Sequence, residues 1–443
     1  MEIEKLGIPT VAIVAKGFEH DFEIGIKSQG LNRIAYTTVS RALTNATEED
    51  IRDEIKGCTD GIINGLTQEA PGIEKKEVAR TKVIRVNGVD LLDAWGQMNE
   101  LFLRYGWSDG FPLVPPTREK VQDMLAATKR SPEEVVCNLS PGGRPATIEK
   151  IAINAVMAGC LSSHLPVVIA AVEALSSPVF GGPGIAMSTG PHARMVIVNG
   201  PIAKKLNINC GRGALGPGAP SFANTVIGRA VRLILMNIGQ AYVGQMDLST
   251  IGSPNKYSMC IAENEEMNPW EPLHVERGFL KEESTVTVYG AESQLEVMNQ
   301  VSTTPEDLMR TFTGTANTAG NGGTGSYMRK SHNRRNNLML IAPDHAALFA
   351  KYGWSKQDVK EYMCRHAQIQ WRYLKNAQGF TPARTKPSWN WIWDAPEDTW
   401  LPIAGGPDWF QIVVVGGPAG KSSYITGEQI VTKKIQDFTD EKS

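Results

Sequence analysis

The stretch Gly7-Ile8-Pro9-Thr10-Val11-Ala12-Ile13-Val14-Ala15 limits the fold of this chain more than any other feature. It is an apolar run of strand length. A helical pattern follows near Glu19 to Gln29, then a second short strand over Arg33 to Val39. That alternation is the pattern of buried strands in an α/β sheet. Thr47-Glu48-Glu49-Asp50 opens a further helix, because a threonine cap and early acids satisfy free N–H groups and the helix dipole. A core strand with nothing before it leaves an edge to complete. Residues 1–70 therefore read as half of an open α/β sheet, completed by a partner.

The 443 residues exceed what a single core sustains, so further domains are expected. Residues 71–100 read as linker and helix. In that region Val83-Ile84-Arg85-Val86 with Gly88 suggests a hairpin, and Leu91 to Tyr105 forms an amphipathic helix ended by Gly106. Residues 101–443 read as a large α/β domain with an internal duplication, its halves about 140–300 and 301–443. Gly106 to Thr117 is an irregular loop leading to a helix from Arg118 to Ala127. Thr147 caps an apolar helix, Ile148 to Leu161, and Leu165 to Leu175 forms another. Two echoes point to the duplication, with chance recurrence of short strings as the alternative. Met195-Val196-Ile197-Val198-Asn199-Gly200-Pro201 resembles Leu338-Met339-Leu340-Ile341-Ala342-Pro343-Asp344, and Tyr105-Gly106-Trp107-Ser108 recurs as Tyr352-Gly353-Trp354-Ser355.

Net charge is -2 with no block of like charges, which argues against a nucleic-acid or anionic-membrane partner. The best apolar run, Leu165 to Val172, is far short of the roughly 20 residues a membrane helix needs. No secretory signal opens the chain, and its six cysteines (58, 137, 160, 210, 260 and 364) show no C-x-x-C spacing. Reduced thiols in a cytoplasm fit that pattern better than a disulfide framework.

Chemistry is expected around the glycine-rich block Gly181 to Gly218. Gly211-Arg212-Gly213-Ala214-Leu215-Gly216 satisfies G-x-G-x-x-G literally, but no strand precedes it and Pro217 and Pro220 interrupt the segment after it, which argues against NAD or FAD. A weaker reading survives. Ser221 caps a helix over Phe222 to Gly239, whose free N–H groups, with Gly211, Gly213 and Arg212, hold a carboxylate or phosphate; the alternative is a purely structural loop. Cys210, at the edge of that block, is a candidate nucleophile or an inert buried thiol, and His192 is the candidate base. Glu263, Glu266 and His274, in a stretch stiffened by Trp270 and two prolines, could move protons. Cys160 and His164 lie four apart but make no metal site. Gly416 to Ser422 resembles a P-loop but fails its spacing, which argues against ATP; a backbone nest beside Lys421 could hold a smaller anion. Gly320 to Gly325, before Arg329, Lys330, Arg334 and Arg335, reads as a surface loop or a lid, and Trp389, Trp391, Trp393 and Trp400 as packing or a subunit interface.

Gly7 to Val11, Phe18-Glu19 and Leu66-Thr67 resemble the latter half of the UGSC-type (seleno)protein domain, named for a selenocysteine-or-cysteine-Gly-Ser-Cys motif. In single-chain members that motif lies upstream of this strand. The remainder resembles larger proteins associated with the domain, over Gly106 to Thr117, Ala155 to Leu175, Ile227 to Gly239, Ile261 to Gly278, Pro343 to Val359 and Val413 to Ser423. No Cys-Gly-Ser-Cys occurs in this chain. The resemblance thus implies a split gene, with a small partner subunit carrying the Cys-Gly-Ser-Cys or Sec-Gly-Ser-Cys motif and completing the N-terminal sheet. With that partner, the first functional expectation is a large subunit doing thiol- or selenol-dependent redox or addition chemistry at a carbon–heteroatom bond of a small anionic substrate. The alternatives are a non-redox lyase or hydratase using Cys210 or the Glu263 to Glu276 stretch, and a scaffold without catalysis.

Overall fold

The computed structural model describes residues 3–28, 31, 33–40, 46–67, 83–180, 187–319, 328, 335–375, 381–418 and 420–436. The expected lid (Gly320 to Gly325 with Arg329, Lys330 and Arg334) and the start of the glycine block, Gly181 to Ala186, lie outside them.

In the N-terminal unit β1 (Val11–Ala15) runs parallel to β2 (Ala35–Val39), beside α1 (Glu19–Ser28) and α2 (Glu48–Thr67). Thr47 Oγ1 accepts from Asp50 N at 3.2 Å, the expected cap. Gly65 lets α2 seat on the strands, since a Cβ there would fall 2.4 Å from Val11 Cγ2. Ile13 in β1 and Tyr36 in β2 remain 44% and 39% exposed.

Next come α3 (Leu91–Arg104), α4 (Arg118–Leu125), the antiparallel hairpin β3 (Val135–Leu139) and β4 (Arg144–Thr147), α5 (Ile148–Ala158) and α6 (Leu165–Leu175). Thr147 caps α5 through Lys150 N, as the sequence suggests. Residues 83–88 form no strand, so the expected hairpin there is absent. The chain continues through β5 (Ala193–Asn199), α7 (Pro201–Lys205), α8 (Phe222–Asn237), β6 (Cys260–Ala262), α9 (Leu273–Glu276), β7 (Thr285–Met298) and α10 (Pro305–Ala319). It ends with β8 (Asn337–Ile341), α11 (Pro343–Lys351), α12 (Lys356–His366), β9 (Gln368–Gln370), β10 (Trp400–Pro402), β11 (Phe410–Val414) and β12 (Lys421–Lys434).

One sheet organises this α/β fold, in the order β11-β8-β12-β7-β5-β6. β5 pairs parallel with β6 and antiparallel with β7, and β8 pairs parallel with β11 and antiparallel with β12. The long β7 and β12 lie side by side at the centre, so the pairing pattern reads the same from either edge. The sheet curls until its edges meet: Asn264 N donates to Val414 O at 2.8 Å, and Gly416 N to Cys210 O at 2.8 Å. Met195, Ile197, Ile261, Tyr289, Leu338, Val413 and Ile425, drawn from every strand of the sheet, pack on one another inside the curl. The alternate residues face outwards onto helices. Val196, Val198, Val286 and Val288 meet α5, α6 and α8, while Met339, Ile341, Ile412 and Val414 meet α10, α11 and α12. Both faces are thus buried, which is why these strands read as unbroken apolar runs.

The recurring Tyr-Gly-Trp-Ser string ends a helix in both places. Gly106 and Gly353 take φ of 72° and 75°, and Trp107 N and Trp354 N donate back to Phe102 O and Phe349 O at 2.9 and 3.0 Å. This left-handed exit favours glycine and gives carbonyls of the last turn a donor.

Where the edges meet, Glu276 takes an ion pair from Lys356 at 3.2 Å and another from Lys360. Burial works against the Glu276 carboxylate, yet the two ammonium groups hold it below its ordinary range. Glu276→Gln, which strands two buried cations, is expected to cost about 3 kcal/mol, read from the midpoint of urea unfolding.

Candidate functional site

The sites expected from the sequence fall at opposite ends of the curled sheet. Cys210, the Gly211 to Gly216 turn, Glu263 and His274 lie where β5, β6 and β11 finish. His192 precedes the start of β5. The seven residues of β5 separate the two ends by about 20 Å, so His192 does not serve Cys210.

At the first end the polar groups are used on one another. The turn is fixed by two residues that sequence reasoning missed, Asn209 and Asn224. Asn209 N donates to Asn224 Oδ1 at 2.7 Å, and Asn224 Nδ2 donates to the carbonyls of Asn209, Ala214 and Cys260. Gly211 N is taken by Asn209 Oδ1 at 2.8 Å, and Gly213 O accepts from Gly216 N at 2.7 Å. Ser221 is not the expected cap. Its φ and ψ of -104° and 22° are not those of an N-cap, and its hydroxyl donates to Gly213 O and accepts from Asn209 Nδ2. Arg212 is exposed and lies against Gly417, where a Cβ would fall 2.2 Å from its Cγ. Burial, reinforced by Glu266 and Glu265, pushes the Cys210 thiol up rather than down. That is the opposite of an activated nucleophile. Cys160 lies beyond the end of α5 and donates to Val226 O, so it shares no helix face with His164.

Glu263 is 3% exposed and fully engaged, accepting from Asn199 Nδ2 (2.6 Å), Leu273 N (2.7 Å) and Asn268 Nδ2 (2.9 Å). Burial raises its carboxyl. Glu265, which the sequence reading did not single out, accepts from Gly200 N at 2.7 Å and lies 3.9 Å from Nδ1 of the buried His274. Glu266 points away and pairs with Lys204 in solvent. The nest at Gly420 is occupied by the protein itself, because Gly420 N donates to Asp344 Oδ2 at 2.7 Å, and Lys421 pairs with Glu296. Among the described residues, no three His, Cys, Asp or Glu side chains gather as a metal site.

The other end is different. Helix α8 places Arg229, Arg232 and Met236 on one face at helical spacing. Gly228 brings the helix close to the segment before β6, where a Cβ would fall 2.4 Å from Ser258 Oγ. Arg229 grips Asp109 through Nε and Nη2 at 2.7 and 2.9 Å and donates to the carbonyls of Phe111 and Pro112. This fastens the Gly106 to Thr117 loop as one wall of a cleft of about 840 Å³. Its floor is Arg232, Asp247 and Lys256. Asp247 accepts from Lys256 Nζ at 2.7 and 2.9 Å, from Arg232 Nη1 at 3.2 Å and from Ser249 Oγ at 2.6 Å. Lys256 also donates to Ser249 Oγ. Two cations against one carboxylate leave the floor with one net positive charge.

Behind the floor, Arg232, Asp247 and Lys256 also wall a smaller chamber with His192 and Arg194. Arg194 lies over the Phe180 ring, and its buried Nη1 has no hydrogen-bond partner among the described residues. The His192 side chain is 9% exposed, with Nε2 3.2 Å from Ser188 Oγ and Nδ1 3.6 Å from Glu292 Oε1. Arg335 pairs with both Glu292 and Glu428 beside it. Burial, helped by Arg232 and Arg194, lowers Lys256 against the pull of Asp247. Of the expected site residues only His192 belongs here. Arg194, Arg232, Asp247, Ser249 and Lys256 carried no motif that could have flagged them.

Compared with protein-family models, curated proteins and solved structures, the chain finds no match. What separates the two ends is chemical. One turns most of its polar groups on one another, with Asn199 Oδ1 and His274 Nδ1 left without a hydrogen bond among the described residues, and the other leaves positive charge facing a cleft.

Cys210 is expected to alkylate with iodoacetamide at neutral pH at least about tenfold more slowly than a free thiol, measured by peptide mass spectrometry. Burial pushes His192 down to about 4, below the roughly 6.5 of an unfolded histidine. The native state therefore binds fewer protons between those values, and stability is lost as pH falls from 6.5 towards 4. His192→Asn is expected to flatten that part of a Tm-versus-pH curve.

Proposed function

We propose that the chain is the large subunit of an enzyme of unlike subunits, and that it holds a small anionic substrate in the Arg232–Lys256 cleft. The observation that carries this reading is the net positive floor, together with the unpartnered Nη1 of Arg194 behind it. A buried donor without an acceptor is costly, and an anionic ligand removes that cost. Arg232 orients the anion. Lys256, held charged by Asp247 yet lowered by burial, is a suitable proton donor to a leaving group.

The two-stranded N-terminal unit supports the second subunit. Two parallel strands with Ile13, Tyr36, Ile63 and Leu66 exposed make an unfinished sheet. In this proposal the resemblance to UGSC-type proteins supplies the partner, a small subunit whose Cys-Gly-Ser-Cys or Sec-Gly-Ser-Cys pair joins that sheet. The pair is oxidised to a disulfide or selenenylsulfide while a carbon–heteroatom bond takes up two electrons and two protons and releases the heteroatom as its hydride. The mirrored pairing of β5, β6 and β7 against β8, β11 and β12 supports an internal duplication.

The complex purified from its native source is expected to contain that small subunit, identified by mass spectrometry. A stable, active assembly of this chain alone overturns the proposal, and turnover without any dithiol favours lyase or hydratase chemistry in the same cleft. Small carboxylates are expected to raise the Tm of the chain. Arg232→Gln and Lys256→Met should each weaken that binding at least about tenfold.

A further inference from the structure

We infer that the substrate is a planar aromatic or conjugated monocarboxylate, with its carboxylate on the cleft floor and its flat body between tyrosine rings. This rests on the anion-binding role proposed for the cleft. The floor sets the charge: Arg232 and Lys256 against Asp247 leave room for one negative group. Arg194, behind them, is already balanced in part by Glu428.

The walls set the shape. Tyr105, Tyr242 and Tyr257 line the cleft with Met236. Tyr105 is 54% exposed, yet it is braced by Trp107, with ring centroids 4.9 Å apart. Tyr257 is 52% exposed and stands edge-on to Phe111 at 5.1 Å, and Phe111 is in turn covered by the Arg229 guanidinium. Tyr242 lies beside Gly106, where a Cβ would sit 3.8 Å from its ring. Gly106 has a φ of 72°, so a side chain there would strain the turn. Tyr105 and Tyr257 thus each offer a ring braced by an aromatic neighbour, and Tyr242 adds a third ring to the lining. Braced rings of this kind gain more from a flat π system than from a flexible alkyl chain, which must also be ordered on binding. The volume, about 840 Å³, admits a ligand well beyond a single ring.

Calorimetric titration of the full chain with benzoate, trans-cinnamate, cyclohexanecarboxylate, hexanoate and benzamide tests this. Cinnamate and benzoate are expected to bind about tenfold more tightly than the two aliphatic acids, and neutral benzamide not to bind. Tyr105→Leu and Tyr257→Leu, both at exposed rings, should erase the aromatic advantage and leave the aliphatic affinity. Arg232→Gln should abolish binding of all the acids, with Arg232→Lys restoring part of it. Equal affinity for aromatic and aliphatic acids, still dependent on Arg232, overturns the aromatic inference and leaves the anion-binding cleft standing. Carboxylate binding that ignores Arg232, or none at all, overturns both. If Arg232→Gln does not fold, the tyrosine variants still decide the inference.

Discussion

The meeting of the two sheet edges is the constraint on which the rest of the structure depends. Two backbone bonds, from Asn264 to Val414 and from Gly416 to Cys210, join the segments at the ends of β6 and β11. An open sheet of these strands would leave one face in water, yet that face carries Met195, Ile197, Ile261, Leu338 and Val413. Curling it buries both faces, and apolar burial is the dominant favourable term in folding. The Glu276 pairs with Lys356 and Lys360 lie across the same seam, and removing the shared carboxylate leaves both cations stranded in a low-dielectric setting.

Closure also explains why the two ends differ. Where β5, β6 and β11 finish, the seam crowds Asn199, Glu263, Glu265 and the asparagine-braced turn together, and most polar atoms there take protein partners, Asn199 Oδ1 and His274 Nδ1 excepted. Such pairing stiffens a site without making it reactive. At the other end α8 stands over the start of β5 and β6, and the loop gripped by Arg229 holds the wall away from the floor. Space remains there, and so does unbalanced charge. The same physics acts on both: burial penalises ions and polar groups, and only a protein partner or a ligand offsets it.

Much of the architecture was legible in the chain. The apolar runs that became β1, β5 and β8 stand out in the chain, those of β5 and β8 because both faces of their sheet are buried. The caps at Thr47 and Thr147 were readable because a cap is a local contact between residues three apart. Ser221 looked the same on paper but was claimed by Asn209 and Gly213, partners 12 and 8 positions away. The expected Cys210 site failed for a similar reason. Whether a thiol is raised or lowered depends on how deeply it is buried and which charges lie near it in space, and here burial raises it first, with Glu266 and Glu265 adding to it.

By itself, then, the sequence determined the alternation of strands and helices, the local caps at Thr47 and Thr147, the glycine exit at Gly106, and the helix that follows Ser221. Only the tertiary structure decided that Arg194, Arg232, Asp247 and Lys256 share one wall, 62 residues apart at the extremes, while His192 and Cys210 part company along β5. Periodicity and capping act over a few residues and leave a pattern in the chain. Charge balance and desolvation act through space, between residues that only the closed sheet brings together.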